Sequence, residues 1–262
     1  MEFYIFSKYI SEVQELINHK YSGALFVYDT TLNDFFTQIA RTINTDEQFK
    51  YMVAVRPYGI SPQYLCMIND SINDIDKDRL EINLIPGWAK EDEKNPGGIL
   101  GKVNDSSSKI DKFNYLTEYV GVLEEINKDT PNYYISVAHE DMVNKTLKHN
   151  SKLLINYPDY KNKTYDIENR NVMIYIWVIL RETQEEIDSI RKQNSEDYYK
   201  YYRTEYFTYK EFNDILTELE NKGIDKILFY TYWDKDERNR INNFVKKYKE
   251  KTNKWKISYY QH

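Results

Sequence analysis

Only one cysteine, Cys66, occurs in 262 residues, so no intrachain disulfide can form and a reducing compartment is the natural setting. It lies in an apolar-periodic stretch and reads as a small buried hydrophobe. Long apolar runs are also missing. The longest, Val172 to Leu180, is too short to span a bilayer, and the start MEFYIFSKYI has no basic segment leading into a long apolar one. A cytoplasmic protein is expected. Positive charge is not in excess either. A net charge of -6 and a pI near 5.4 give no basic face for nucleic acid or an anionic membrane. The histidines, His19, His139, His149 and His262, form no zinc pattern with one another or with the lone cysteine, so no metal is expected. Asp74, Asp76 and Asp78 imitate the start of a calcium loop. Arg79 stands where that loop needs glycine and Ile85 where it needs glutamate, so the segment reads as a turn. Matches to N-x-S/T at Asn69, Asn104, Asn144 and Asn162 are what an Asn-rich chain produces by chance.

What the chain does have is aromatic surface. Mean hydropathy is -0.77 and 30% of residues are charged, yet 16% are aromatic, with 26 tyrosines able to bury large amphipathic area. The length suits one large domain, and α/β barrels need about 250 residues. No internal repeat or linker divides it.

Eight short apolar runs alternate with stretches of helical period: Phe3 to Phe6, Ala24 to Tyr28, Tyr51 to Val55, Leu80 to Ile85, Tyr133 to Val137, Leu153 to Asn156, Val172 to Leu180 and Lys226 to Thr231. That alternation is the signature of βαβ units and a parallel sheet. Helices are predicted over Glu12 to Asn18, Leu32 to Ile43, Pro62 to Ile75, Ser107 to Asn127, Glu140 to Lys148, Glu185 to Tyr202, Tyr209 to Asn221 and Asp234 to Lys249. Gly23 opens the second run, Asp29, Thr30 and Thr31 supply cap candidates before Leu32, and Gly223 suits a helix end at positive φ. Trp88 to Ser108 holds three of the eight glycines and reads as a long loop after the fourth strand, where barrel active sites gather. Between Tyr157 and Asn171 the helical period is weak, so the sixth helix is short or missing. The tail Lys254 to Tyr260 alternates like a strand and reads as an extra C-terminal edge strand outside the barrel.

The text from Tyr21 onward resembles the bacterial luciferase-like flavin-dependent monooxygenases, closest to the alkanesulfonate monooxygenase branch. The segments that carry the resemblance are YSGALF, FKYMVAVRPYGISP, INDIDKDRLEINLIPG, KFNYLTEYV, IYIWVILRET and ELENKGIDKILFYTY, which follow the family's order over most of the chain. The resemblance implies a (β/α)₈ TIM barrel, α/β in class, formed by residues 1–262 as a single domain. It also implies reduced FMN, supplied by a separate flavin reductase, at the C-terminal mouth, and a homodimer packed through barrel helices. On the matching segments Tyr28, Ala54, Asn83, Lys112, Ala138 and His139 would contact the cofactor, and Arg56, Tyr175 and Trp177 would occupy catalytic positions.

The departures fall at functional positions. Tyr175 and Trp177 replace the family's basic pair on the seventh strand. Phe113 replaces a tyrosine directed at the flavin phosphate, and the neighbouring Lys112 could serve as a cation there. The small residues that follow the fifth strand in the family are here Val137, Ala138, His139, Glu140 and Asp141, and two carboxylates in a first helical turn cap the helix while repelling phosphate. The interval from Arg181 to Phe207 is too short for the family's mobile insertion and reads as a tyrosine-rich helix, EDYYKYYRTEYF, suited to packing or a subunit contact.

From the residues themselves, Arg56 at a strand's C-terminal end should point into the mouth, and Asn83 inside a strand must find a partner. Tyr28, Trp88, Tyr157, Trp177 and Tyr232 would ring the mouth, where they would either stack a planar ligand or plug the site. Three readings stay open: an FMN-dependent monooxygenase of a small organic or organosulfur compound using O₂; a degenerate, non-enzymatic binding or structural subunit; and a barrel that transfers hydride through flavin or deazaflavin.

Overall fold

The computed structural model describes residues 1–27, 34–45, 48–86, 108–126, 132–137, 140–146, 148–149, 151–162, 171–193, 203–230 and 234–259. Nine strands are present among them: β1 Glu2–Ser7, β2 Gly23–Val27, β3 Lys50–Val55, β4 Leu80–Leu84, β5 Tyr133–Val137, β6 Lys152–Asn156, β7 Val172–Arg181, β8 Glu205–Thr208 and β9 Lys226–Tyr230. All pair in parallel. Pairings run from β1 through β6 in sequence order, then β6 to β7, β7 to β9 and β9 back to β1, which closes a ring of eight strands. The fold is a (β/α)₈ TIM barrel.

The helices are α1 Val13–Asn18, α2 Phe35–Thr42, α3 Pro62–Asn73, α4 Lys109–Ile126, α5 Glu140–Thr146, α6 Tyr157–Asn162, α7 Gln184–Gln193, α8 Tyr209–Asn221 and α9 Lys235–Tyr259. Local chemistry sets several ends. Asp34, not the earlier Asp29 to Thr31 group, caps α2 by accepting from the amides of Phe36 and Thr37; that earlier group lies outside the described residues. Ser61 caps α3 ahead of Pro62, and Thr208 with Glu211 forms a reciprocal capping box on α8, which Gly223 ends at φ +77°. The sixth helix spans six residues, Tyr157–Asn162, and 163–170 lie outside the described residues. No helix among the described residues is long and apolar enough to cross a membrane.

Two expectations need correcting. A strand does lie outside the ring, but it is β8, in the segment read as a tyrosine-rich helix, while 194–202 of that segment lie outside the described residues. β7 runs past the ring, and its far half, Val178 to Arg181, pairs with β8. The overrun leaves backbone donors and acceptors unpaired, and Tyr206, Phe207 and Thr208 have side chains that favour a pleated surface. Phe207 then packs edge-on against Tyr157 and stacks on Phe212. The tail is not a strand. α9 continues through it to Tyr259, because no glycine or proline interrupts Lys235–Tyr259 and each added residue of a formed helix gains a hydrogen bond.

α9 is fastened along its length. Arg181 at the end of β7 makes a two-point ion pair with Glu237, and Arg238 reaches Glu12 at 2.6 Å, whose carboxylate also accepts from Ser7 Oγ. Further along, the buried Tyr21 hydroxyl donates to Asn242 Oδ1 at 2.9 Å and Lys249 Nζ to the Met1 carbonyl at 2.8 Å.

Strand alternation sorts side chains into two cores. Outward residues such as Phe3, Phe26, Val53, Ile82, Ile135, Ile155, Ile174 and Phe229 pack under the helices, and Cys66 joins them, its thiol pushed up by burial. Inward residues Tyr4, Leu25, Met52, Ala54, Tyr134, Leu154, Met173 and Leu228 fill the barrel. Gly23 is needed here for close approach: a Cβ would sit 2.5 Å from the Tyr4 ring and 2.7 Å from the Lys50 carbonyl.

The N-terminal end of the interior is polar. Glu81, 1% exposed, faces Lys226 at 3.9 Å, with Lys152 and Lys50 close by. Lys226 and Lys152 also lie over the Tyr134 ring. Burial raises the Glu81 carboxyl above the ordinary carboxylate range, and the lysines offset this only in part. A raised folded-state value means that Glu81 favours the fold fully below the unfolded carboxylate range and loses that contribution as pH rises through the folded value. Glu81→Gln is therefore expected to gain stability relative to the parent as pH rises above the unfolded carboxylate range, followed by thermal melts at fixed ionic strength. A difference that stays flat over that rise would show Glu81 to be ionised throughout.

Candidate functional site

At the C-terminal end the inward positions are Phe6 on β1, Val27 on β2, Ala54 on β3 with Arg56 just beyond, Asn83 and Ile85 on and after β4, Ser136 on β5, Asn156 on β6, Tyr175 and Trp177 on β7, and Tyr230 on β9. Alternation fixes this set, since each lies an even number of residues from a side chain of the inner core. The mouth is divided. Its β7, β9 and β1 side is aromatic and its β4 to β6 side carries amides and a hydroxyl.

On the aromatic side Tyr230 is the hub. Phe6 stacks on it with ring centroids 5.5 Å apart and 9° between planes, Trp177 lies 5.1 Å away and Tyr175 5.3 Å away. Burial, with Tyr175 adjacent, pushes the Tyr230 phenol up, so it stays neutral throughout the physiological range. Tyr175 and Trp177 remain half-buried.

On the other side Ser136 Oγ donates to Asn83 Oδ1 at 3.0 Å. The Asn83 Nδ2 donor and the Asn156 Oδ1 acceptor are buried without partners among the described residues. Each unpartnered buried group costs about 1–3 kcal/mol, so a pair of them at one mouth calls for a partner beyond the described residues, a ligand or an ordered water among the candidates. Ala54 aligns with Asn83 in the β3–β4 register and adds little bulk beside it.

Of the residues singled out from the sequence, the fold brings Ala54, Asn83, Arg56, Tyr175 and Trp177 to one end of the barrel interior. Tyr28, Ala138 and His139 lie outside the described residues, as do Trp88 and Tyr232. Lys112 is on α4 and buried, next to Phe113 in the outer core. Tyr157 does not belong to the mouth. It begins α6 and packs outward against Phe207. Asp76 in the turn before β4 is occupied by Arg79, which also donates to the carbonyls of Phe49 and Ile43. Sequence reading missed Asn156, Ser136, Phe6 and Tyr230. All four were findable by extending the two-residue alternation to the ends of strands already identified.

No protein-family model matches the sequence, and no curated protein does. Among solved structures, the fold matches the EDTA monooxygenase from Chelativorans sp. BNC1 with a TM-score of 0.66 at 8% identity, over 96% of this chain and 94% of that one. It matches riboflavin lyase, solved with modified FMN and riboflavin, with a TM-score of 0.64 at 8% identity over 94% and 90%. The coenzyme F420 dependent tetrahydromethanopterin reductase from Methanopyrus kandleri gives 0.59 at 11% identity over 94% and 96%. At such identities the likeness is one of fold, and the three names describe three different reactions. In fold, the chain is a (β/α)₈ barrel similar to the barrels of these three proteins.

If the Asn83 amide is kept for a ligand, it burdens the empty protein. Replacing both members of its pair, Asn83→Leu with Ser136→Ala, is expected to raise the unfolding free energy by about 1 kcal/mol, measured by denaturant titration. A loss of stability would show that the amide is paired within the folded chain.

Proposed function

We propose that this chain binds a flavin, FMN in reduced form from a separate reductase, across the mouth and works as a flavin-dependent monooxygenase on a small organic compound with O₂. The observation that carries the reading is the unpartnered Asn83 donor, across the ring from Tyr230, together with the Asn156 acceptor on the strand beside Tyr175. A flavin ring presents carbonyl acceptors and an imide N–H along one edge and a broad apolar face, so the donor set and the wall suit the ring. Bound reduced flavin would supply the electrons that activate oxygen. The chain's own residues would orient the ring through Asn83 and Asn156, leave it room at Ala54, and exclude water with Tyr175, Trp177 and Tyr230. Arg56 is the charged residue among the described inward positions at this end, placed to favour developing negative charge. We assign the phosphate side to Lys112, Tyr28, Ala138 and His139. A single buried cysteine suits a cytoplasmic setting.

A second reading, a non-enzymatic barrel, is favoured by one feature: Phe6, Tyr230, Tyr175 and Trp177 pack on one another and so partly fill the space a ligand would take. Titration of the purified protein with FMN and anaerobically reduced FMN, followed by flavin fluorescence, separates the two. Saturation at about micromolar concentration, weakened at least about tenfold by Asn83→Leu, supports the flavin reading. No saturation at high micromolar flavin leaves the non-enzymatic barrel. Binding with reduction by a nicotinamide, but no oxygen consumption with any substrate, would indicate hydride transfer instead.

The homodimer is also proposed. Tyr64 and Met67 on α3 and Ile110 on α4 are 56%, 63% and 65% exposed on adjacent helices, an apolar surface suited to a second copy. Sedimentation should give a dimer that Met67→Lys shifts to monomer; a monomeric parent rejects it.

A further inference from the structure

We propose that the compound held at the mouth is uncharged and mainly apolar, seated against Tyr175, Trp177 and Tyr230, and that sulfonates and other anions are excluded. The inference deepens the flavin reading by naming the substrate class, although the binding step itself does not require flavin.

The aromatic cluster is continuous from β1 through β9 to β7, with its ring centroids 5.1 to 5.5 Å apart about Tyr230. Trp177 pairs with Tyr230 in the β7–β9 register and Tyr175 pairs with Leu228 one layer deeper, so the two half-buried rings form a step facing the interior. The remaining described side chains at this height are Val27, Ala54, Ile85, Ser136 and the two asparagines, all neutral. Arg56 stands on β3, half-way around the ring of eight from β7. An anion lying on the Tyr175–Trp177 step would meet no cation from β1, β6, β7 or β9 among the described inward residues of this end.

The inward lysines are at the other end of the barrel and are committed there. Lys226 donates to the Tyr134 hydroxyl at 3.1 Å and faces Glu81, Lys152 donates to Asn132 Oδ1, and Lys50 donates to the Asp78 carbonyl at 2.5 Å. Between them and the mouth lies the apolar layer of Leu25, Met52, Leu154, Met173 and Leu228. A charged headgroup would lose its water at the aromatic step and regain no ion pair, whereas an alkyl or aryl group would shed its water at a gain and make contact.

The test is a matched pair, n-octanol and octane-1-sulfonate, titrated into the full chain by equilibrium dialysis with and without FMN. The alcohol should bind about tenfold or more tightly than the sulfonate. Trp177→Arg should narrow or reverse that preference, and Trp177→Ala, as a milder change, should weaken the alcohol alone. Equal or tighter sulfonate binding, or no binding of either probe, overturns the proposal. Saturable FMN with sulfonate preferred removes the substrate class and leaves the flavin reading. Alcohol binding without saturable FMN does the reverse.

Discussion

Ring closure, through the β6–β7 and β1–β9 pairings, forces the alternate side chains of eight strands into one shared interior. Everything else in the molecule adjusts to that constraint. At the N-terminal end the space holds Glu81 among lysines, with Tyr4 crossing over Gly23. In the middle it is filled by leucines and methionines, and at the C-terminal end it divides into an aromatic half and an amide half. Polar groups are tolerated at both ends for different reasons. At the base, charges face charges of opposite sign; at the mouth, two amide atoms face nothing that the described chain supplies.

The outer shell is organised around the places where the ring is imperfect. β7 overruns it, and the surplus edge recruits β8 and anchors α9 through Arg181 and Glu237. The ring-paired half of the same strand carries Tyr175 and Trp177, so the element that departs most from a minimal barrel strand also builds the aromatic wall. Tethering of α9 to Glu12 and to Tyr21 then ties the last helix to the first two strands and the turn between them. Structure and candidate site thus share one element.

The fold likeness covers nearly the whole chain at a sequence identity near that of unrelated proteins. That combination is what a barrel allows. Its architecture depends on burying an apolar pattern, which many sequences satisfy, whereas chemistry depends on a few side chains at strand ends, which can change without disturbing the ring. Here the basic pair expected on the seventh strand by resemblance is aromatic, and the polar groups stand on β4, β5 and β6.

The amino-acid sequence by itself determined the eight barrel strands, most helix positions and the class of fold, because alternation of short apolar runs with helical periods is a local signal. It also placed Arg56 at the end of the third strand, Asn83 inside the fourth, and Tyr175 and Trp177 on the seventh. It could not decide what those residues would face. Tyr157 reads like a mouth residue in the chain, yet it turns outward to Phe207, because the helix it begins folds back over the barrel wall. Lys254 to Tyr259 alternates like a strand, but it follows an uninterrupted helix with no glycine or proline to end it, so helix propagation wins. Asn156 and Ser136 gain meaning only once β5 and β6 are curled beside β4, and Phe6 meets Tyr230 only because the first and last barrel strands pair. These are contacts between residues far apart in the chain, and only ring closure brings them together.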